Sequence, residues 1–362
     1  MIMNFTITFL LLANLAIAVL SSPVLNATCT ISSFDEVANV VASCSDIVLE
    51  SFTVPAGTTL NMNLNSGSTV TVKGVIKFGY QEWAGPLVQI YGNQITFRGA
   101  GGYFDGEGAN YWDGDNKNGK VKPKFFKIKT KANSIFSDIT LKNCPKNCVS
   151  ISASDTTLTD WLVDCSEGDS KKGKNTDGFD LSSSADITIR DSVVMNQDDC
   201  VAINQGSNFL FERLTCSGGH GLSLSVGLSK SNGEVNTVRN ATFTDCVVKN
   251  SKNGMHIKTH NDGGTGAITD ITYRNIKLSG IENYGIEIQE NYPNGGDPVG
   301  NVPITNLNLE SVSGNMSGAK NSMAVYILCA DEGCNNWSWS NVAISNSKKA
   351  NSCNFTPNGF SC

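Results

Sequence analysis

The 362-residue sequence lacks a second long apolar stretch, an excess of basic residues and sustained helical periodicity. After an apolar run at residues 5–20, no segment is long and apolar enough to cross a bilayer. The net charge of −6 excludes a global basic field that would hold nucleic acid or an anionic membrane. Beyond about residue 45, short β-branched runs broken by Gly, Asn, Asp and Ser predict an all-β protein.

The apolar run is followed by small residues and then by polar sequence. This order is typical of a signal peptide, which we place at residues 1–22, with residues 23–362 forming a single domain. A basic segment before the run is missing, because residues 1–4 carry only the amino terminus as a cation. A membrane anchor is the alternative, although the run is short for a span. We therefore expect a secreted, extracellular protein.

Twelve cysteines behind a signal peptide indicate an oxidising compartment. Sequence spacing leaves open the pairing of Cys144, Cys148, Cys165 and Cys246, and zinc at the first two is an alternative without a second ligand pair nearby. Five sequons permit glycans, and they begin at Asn26, Asn240, Asn315, Asn336 and Asn354. Spacing predicts four disulfides, namely Cys29–Cys44, Cys200–Cys216, Cys329–Cys334 and Cys353–Cys362.

The sequence repeats a two-part unit, preceded by one predicted helix at residues 33–42. One part, a small residue, an aspartate and a β-branched run, occurs at residues 137–141, 185–189 and 269–273. The other part aligns six times at spacings of 30, 22, 21, 33 and 31 residues, starting at Asn147, Asp177, Asp199, His220, Asn253 and Tyr284. Irregular periods in this range indicate a parallel β-helix, whereas a propeller or sandwich needs more hairpin signals.

Equivalent positions on successive coils of a β-helix lie about 4.8 Å apart, so aligned residues form columns. Asp177, Asp199 and His220 then share one column, with Asp198 at its side. Lys258 lies on the same strand face as His256, two residues further along. Three positions after the first column, a second column contains Asp180, Ala202, Ser223, His256 and Glu287.

Three carboxylates at this spacing repel one another, so at least one is expected to stay protonated well above its usual pKa. A protonated acid beside ionised carboxylates is what glycoside hydrolysis requires. A calcium site, a solvated turn and a calcium-dependent lyase are the alternatives. Lysines at residues 117–131 and 171–174 would supply local cations for an acidic polysaccharide, although a solvated surface loop explains them equally well.

With these residues, the chain resembles the polygalacturonases of glycoside hydrolase family 28, especially fungal endo-acting enzymes and their herbivorous-insect relatives. The resemblance implies an all-β, right-handed parallel β-helix of the pectin-lyase-like type, acting as a monomer without a metal or organic cofactor. It implies inverting, endo-acting hydrolysis of α-1,4-galacturonosyl linkages in de-esterified pectin, with plant inhibitor proteins as further partners. The motifs that carry it are residues 175–178, 197–199, 219–221 and 256–258, with segments 44–49, 54–60, 78–83, 122–126 and 326–329.

The resemblance also assigns roles to single residues. Asp198 resembles the general acid, and Asp177 and Asp199 resemble the pair that holds and activates water. His220 resembles the residue that tunes the protonation of the acid. The expected substrate-binding residues are His256, Lys258, Tyr292 and Asn175.

Two departures from the family pattern stand out. The family has Arg-Ile-Lys where this chain has residues 256–258, and His256, unlike arginine, is charged only at acid pH and cannot form a forked contact. We therefore expect weakened, pH-dependent uronate binding. Residues 222–227 are one residue short of the family pattern, so the strand after His220 is expected to be re-aimed. The alternatives are a catalytically weak pectin-binding protein, a decoy for plant inhibitor proteins, and an enzyme specific for oligogalacturonides or substituted pectins.

Overall fold

The computed structural model describes residues 29–115 and 118–362, and these form a parallel β-helix. Most coils contribute one strand to an eleven-stranded sheet and two strands to a twenty-one-stranded sheet. The predicted signal peptide lies outside the described residues and stays a prediction. In the described part of the chain, no helix has the length and apolar character needed to span a bilayer.

The strands of the described residues, in chain order, are β1 (Cys29–Ile31), β2 (Asp46–Leu49), β3 (Phe52–Val54), β4 (Leu60–Asn63), β5 (Thr69–Val72), β6 (Val75–Phe78), β7 (Val88–Asn93), β8 (Thr96–Gly99), β9 (Tyr103–Asp105), β10 (Phe126–Lys131), β11 (Ser134–Ser137), β12 (Thr140–Lys142), β13 (Val149–Ile151), β14 (Ser154–Thr159), β15 (Leu162–Asp164), β16 (Phe179–Leu181), β17 (Ser184–Arg190), β18 (Val193–Met195), β19 (Val201–Ile203), β20 (Gly206–Glu212), β21 (Thr215–Ser217), β22 (Leu222–Val226), β23 (Thr237–Thr244), β24 (Val247–Lys249), β25 (Asn253–His260), β26 (Ala267–Ile281), β27 (Tyr284–Tyr292), β28 (Ile304–Met316), β29 (Met323–Leu328), β30 (Cys334–Asn335), β31 (Ser338–Ser345) and β32 (Ser352–Cys353). The helices are α1 (Val37–Ser43) and α2 (Glu167–Lys171), with 3-10 turns at Phe34–Glu36, Gly108–Asn110 and Gly233–Asn236.

The eleven-stranded sheet, called the cleft sheet below, positions the predicted site. Its register matches the sequence alignment, because Phe179 pairs with Val201, Val201 with Leu222 and Leu222 with Met255. The predicted β-helix and its second column of residues are therefore confirmed. In spatial order the sheet contains β4, β7, β10, β13, β16, β19, β22, β25, β27, β29 and β32.

The first part of the predicted repeat does not occupy one structural position. Asp186 and Asp270 are level with each other, since their flanking residues pair through β20 and β23. Asp138 instead lies at the next corner of the coil, level with Asp160. All four residues have φ between 56° and 59°, a left-handed conformation that Asp tolerates better than most residues. Aspartates in the same left-handed conformation at two different corners of the coil therefore gave similar sequence at positions that are not structurally equivalent.

The core fills the inside of the coils with side chains that stack along the helix axis. Phe211, Phe243 and Tyr273 are fully buried and occupy equivalent positions of β20, β23 and β26. Their ring centroids are 4.5 Å and 4.6 Å apart, with interplanar angles of 14° and 5°. The parallel register thus places one ring directly over the next.

The N-terminal end of the β-helix is covered by α1, in agreement with the predicted helix at residues 33–42. The Glu36 carboxylate accepts hydrogen bonds from the amides of Ser32 and Ser33 at 2.7 Å and 3.0 Å. These bonds satisfy amides that have no partner within the first turn, and they lower the pKa of Glu36.

All four predicted disulfides are present. Cys144 and Cys148 form a fifth, so the zinc alternative for this pair is wrong. Cys165 and Cys246 are buried thiols. The described chain is therefore cross-linked near both ends and beside the cleft sheet.

We expect Phe243→Ala to lower the free energy of unfolding by about 3–5 kcal/mol, because it removes the middle ring of a buried stack. Urea unfolding with the disulfides intact measures the change. The control is Val193→Ala, since Val193 is 38% exposed and its truncation should cost less than about 1 kcal/mol. Equal losses in the two variants would contradict the proposed contribution of the stack.

Candidate active site

A cleft of about 500 Å³ opens over the middle of the cleft sheet. Each residue predicted for the site contributes to its wall or floor. The structure therefore brings together Asn175, Asp177, Asp198, Asp199, His220, His256, Lys258 and Tyr292.

The turn that carries the Asp198–Asp199 pair is held by Asn196, which is almost fully buried. Its side-chain amide donates to the carbonyl oxygens of Thr176, Asp198 and Asp199 at 2.9, 3.0 and 2.9 Å. The same amide thus joins two successive coils just before β16 and β19 begin. Sequence reasoning missed Asn196, although it immediately precedes the Gln-Asp-Asp motif.

Asp198 is the centre of a small polar network. Its Oδ1 lies 3.1 Å from His220 Nδ1 and accepts from the Asp199 amide at 2.9 Å, and Oδ2 accepts from Asn175 Nδ2 at 3.3 Å. Burial raises the pKa of Asp198, but the hydrogen bond and charge of His220 and the charge of Lys258 outweigh it. The pKa of Asp198 therefore falls below its usual range.

Asp199 lies deeper and is paired on both oxygens. It is 3% exposed; its Oδ2 lies 2.8 Å from Lys258 Nζ, and its Oδ1 accepts from the Ser223 hydroxyl at 2.7 Å. Burial lowers the pKa of Lys258, but the charge and hydrogen bond of Asp199, together with Tyr292 and Asp198, outweigh burial and raise it, so the ammonium stays charged. Lys258 Nζ also lies 5.3 Å from the centroid of the Tyr292 ring. The charge of Lys258 is thus neutralised within the protein.

Two carboxyl groups favour the protonated form. Burial, followed by repulsion from Asp180, Asp198 and Asp199, raises the pKa of Asp177 well above its usual value. Burial raises the pKa of Asp180 to about 7, although Lys124 and Asn147 oppose the shift. Asp177 Oδ1 and Asp180 Oδ2 are buried without a hydrogen-bond partner among the described residues.

This arrangement agrees with the expectation that one carboxyl of the cluster is held protonated. Asp180 was predicted in the second column but not as a site residue, although a carboxylate at a column position beside Asp177 is a usable signal. Burial and mutual repulsion therefore divide the cluster into groups that stay ionised and groups that keep a proton.

His256 lies on the floor of the cleft, beside Glu287 of the neighbouring strand. It is 7% exposed; its Nε2 lies 3.3 Å from Glu287 Oε2, and its Nδ1 lies 3.2 Å from Asn253 Nδ2. Burial, followed by the charges of Lys258 and His220, lowers the pKa of His256 well below its usual value. Near neutral pH the imidazole is therefore uncharged.

The expected re-aiming of the strand after His220 is wrong. Strand β22 pairs with β19 and β25 in unbroken register, up to Val226 beside Thr259. A register shift occurs one coil later, between Lys258 and His260, where β25 meets β27. Tyr292 pairs with His260 just beyond this shift, so the irregularity sets the position of the Tyr292 ring.

Asp198, Asp199 and His220 have ligand atoms within 4.8 Å of one another. Calcium needs about six to eight oxygen ligands, whereas both oxygens of Asp199 are already bonded to Lys258 and Ser223. A divalent cation would also lie beside the ammonium of Lys258. The residues present therefore do not fit the calcium alternative.

Comparison with known proteins identifies the family. Residues 44–362 match the family model described as "Glycosyl hydrolases family 28". The chain belongs to glycosyl hydrolase family 28. This family-28 chain is 49% identical to a polygalacturonase of Phaedon cochleariae, over 96% of this chain and 97% of that protein. It is 44% identical to endopolygalacturonase I of Aspergillus niger, over 92% and 91% of the two chains.

Among solved structures, endopolygalacturonase I of Stereum purpureum complexed with two galacturonates has a TM-score of 0.79 and 35% identity. The alignment covers 90% of this family-28 chain and 96% of that chain. The resemblance predicted from the motifs is confirmed, and the protein is a glycoside hydrolase with a β-helix fold. The roles assigned to single residues stay predictions.

Glu290 of β27 is a further carboxyl group with an unusual environment. It is fully buried, its Oε2 accepts from the Ala330 amide at 2.7 Å, and its Oε1 has no partner among the described residues. Burial raises its pKa to about 7. Because the folded-state pKa exceeds the unfolded one, the stabilising contribution is complete below about pH 4 and is lost as the pH rises through about 7.

We expect the free energy of unfolding of the wild type to fall between about pH 5 and about pH 8. In Glu290→Gln, which keeps the shape but cannot ionise, this fall should be smaller by about 1–3 kcal/mol. Urea unfolding at the two pH values measures it. Glu310→Gln is the control, because Glu310 is exposed and its loss should leave the pH dependence unchanged. An unaltered fall in Glu290→Gln would show that Glu290 is not responsible.

Proposed function

We propose that this glycoside hydrolase cleaves α-1,4-galacturonosyl linkages within de-esterified pectin, with inversion at the anomeric carbon. The observation that carries the proposal is the contact of Asp198 with His220 beside the Asp177–Asp199 pair. The names of the relatives support polygalacturonate as the substrate, since they include a polygalacturonase and fungal endopolygalacturonases. An open cleft is compatible with attack inside a long chain.

Asp198 acts as the general acid in this proposal. Its side chain is 16% exposed and that of Asp199 is 4% exposed, so Asp198 is the more accessible to a glycosidic oxygen. The acid must carry a proton, and an anionic sugar bound nearby raises the pKa of Asp198. The proton passes from Asp198 to the leaving oxygen as the bond to the anomeric carbon breaks, and His220 Nδ1 is placed to assist reprotonation.

Asp199 and Asp177 act on the attacking water. Lys258 and Ser223 bind the two oxygens of Asp199 and fix the orientation of its carboxylate, which is placed to accept a proton from water. Asp177 has an oxygen without a partner among the described residues, and this oxygen can hold the water by a hydrogen bond. The water attacks the anomeric carbon from the face opposite the leaving sugar, which inverts the configuration.

Local cations support an acidic substrate despite the net negative charge of the chain. A second cavity of about 290 Å³ shares Asn175 with the cleft. It is lined by Lys120, Lys122, Lys124 and Lys146 among others. Lys122 is bound to Asp113 at 2.8 Å, whereas Lys124 is exposed. A uronate chain leaving the cleft on this side would meet positive charge.

We also propose that the protein is secreted as a glycosylated monomer. Five disulfides among the described residues support an oxidising compartment. The sequons at Asn240, Asn315 and Asn336 are exposed. Asn354 is also exposed, but its side-chain amide is bonded to both backbone groups of Cys329, which disfavours a glycan there in the folded state.

A catalytically weak, pectin-binding or decoy protein is the second candidate, and the neutral His256 favours it. The intact set of three aspartates and His220 opposes it. The two candidates differ in turnover, so one assay on polygalacturonate decides between them.

We expect the wild type to release reducing ends from polygalacturonate and Asp198→Asn to lower kcat by about 100- to 10,000-fold. Early products should be mixed oligomers, and NMR of the first product should show the inverted anomer. Wild-type turnover no higher than that of Asp198→Asn would favour the decoy. Monomer as the sole early product would contradict endo action.

We expect Ser223→Ala to lower kcat by about 10-fold with little change in KM, because one oxygen of Asp199 loses its donor. Ser223 is fully buried and does not line the cleft, so substrate affinity should be preserved. Ser182→Ala removes an exposed hydroxyl and serves as the control. A raised KM at unchanged kcat would show that Ser223 does not act through Asp199.

A further inference from the structure

The second column of the cleft sheet changes its electrostatic character from one end of the cleft to the other. Lys127 of β10 pairs with Ser150, which pairs with Asp180. Beyond the carboxylates, the same column continues through Ser223 to His256, which lines the cleft, and then to Glu287 behind it. A basic residue therefore occupies the column before the aspartates, and a histidine–glutamate pair occupies it after them.

The His256–Glu287 pair is buried and closely bonded. In addition to the contact between the two side chains, Glu287 Oε2 accepts from Asn253 Nδ2 at 2.7 Å. Gln289 Nε2 lies 3.2 Å from Glu287 Oε1 and 3.0 Å from His256 Nε2. Both side chains are thus fixed, and their hydrogen-bonding atoms face each other.

Proton counting gives the charge of the pair. With one shared proton its net charge is zero, whether glutamic acid faces imidazole or glutamate faces imidazolium. Loss of that proton leaves a charge of −1. A positive pair requires both groups to be protonated, and burial lowers the pKa of His256 while raising that of Glu287 to about 7. Over most of the pH range, the pair cannot attract a carboxylate.

The neighbouring cations do not change this result. Lys258 is paired with Asp199, which among the described residues leaves Lys252 as a single exposed cation at the rim of the cleft on this side. On the other side of the aspartates, Lys124, Lys127 and Lys146 have no carboxylate within 4.0 Å among residues 29–115 and 118–362. Free positive charge therefore lies mainly on the side of β10.

We infer that the cleft floor at His256 receives an uncharged, hydrogen-bonding sugar unit, such as a methyl-esterified galacturonate, while acidic units lie on the lysine side. The inference rests on the proposed function and names its substrate class as partly esterified pectin. His256 lines the cleft and would contact the sugar. Glu287 does not line it, so Glu287 is a positioning residue that acts through His256.

The test compares kcat/KM on polygalacturonate with kcat/KM on pectin of about one-third methyl esterification. At about pH 8, where the pair has lost its shared proton, we expect Glu287→Gln to raise kcat/KM on polygalacturonate by about 3- to 30-fold, as for removal of one like charge near a uronate. The value on the esterified substrate should change much less. Adding His256→Arg to Glu287→Gln should shift the preference further toward polygalacturonate.

Glu282→Gln is the matched control, since it removes an exposed glutamate just before β27 and should not alter the preference. Equal changes on both substrates in Glu287→Gln would mean a structural role and overturn the inference. A wild type that acts on polygalacturonate but loses activity in proportion to esterification would also overturn it.

A binding measurement separates this inference from the proposed function. Asp198→Asn is titrated with a galacturonate trimer and with the same trimer methyl-esterified at a single unit. Absence of turnover on either polymer would reject the proposed function. Tighter binding of the ester than of the free acid would still support the neutral position at His256, and the reverse order would overturn it.

Discussion

The parallel stacking of strands at a fixed spacing is the constraint on which the rest of the structure depends. In this arrangement, equivalent residues of successive coils lie directly beside one another, so similar side chains cannot avoid contact. Apolar positions become the ring stack of Phe211, Phe243 and Tyr273. Polar side chains at equivalent positions, such as Asp177 and Asp199, lie side by side in the cleft. The same geometry that builds the core therefore concentrates charge at the site.

Concentrated charge in a partly buried cleft requires that some groups be neutralised and others stay protonated. Asp199 is neutralised by Lys258, whereas Asp177 and Asp180 favour the protonated form. Asp198, nearer to solvent, depends on His220 for its state. Four carboxyl groups of the same type thus acquire different properties from their depth and partners, and this division is what acid–base chemistry requires.

The sequence was sufficient to predict the β-helix, the register of the cleft strands and the set of residues that meet there, because a column depends only on spacing. It could not distinguish the corner at Asp138 from the bend at Asp186, since both need a residue that tolerates a left-handed conformation. It did not reveal that His256 is buried against Glu287 or that Lys258 is held by Asp199. Such pairings depend on side-chain direction and depth, which a linear alignment does not contain.

The six aligned segments are separated by 21 to 33 residues, yet they stay in continuous register on the cleft sheet from β13 to β27, and the shift between β25 and β27 comes only after Lys258. All of the variation in coil length is therefore absorbed by the connections outside the sheet. Insertions or deletions there would reshape the walls of the cleft and leave its floor in place. The fold thus allows the specificity of the cleft to evolve independently of its chemistry.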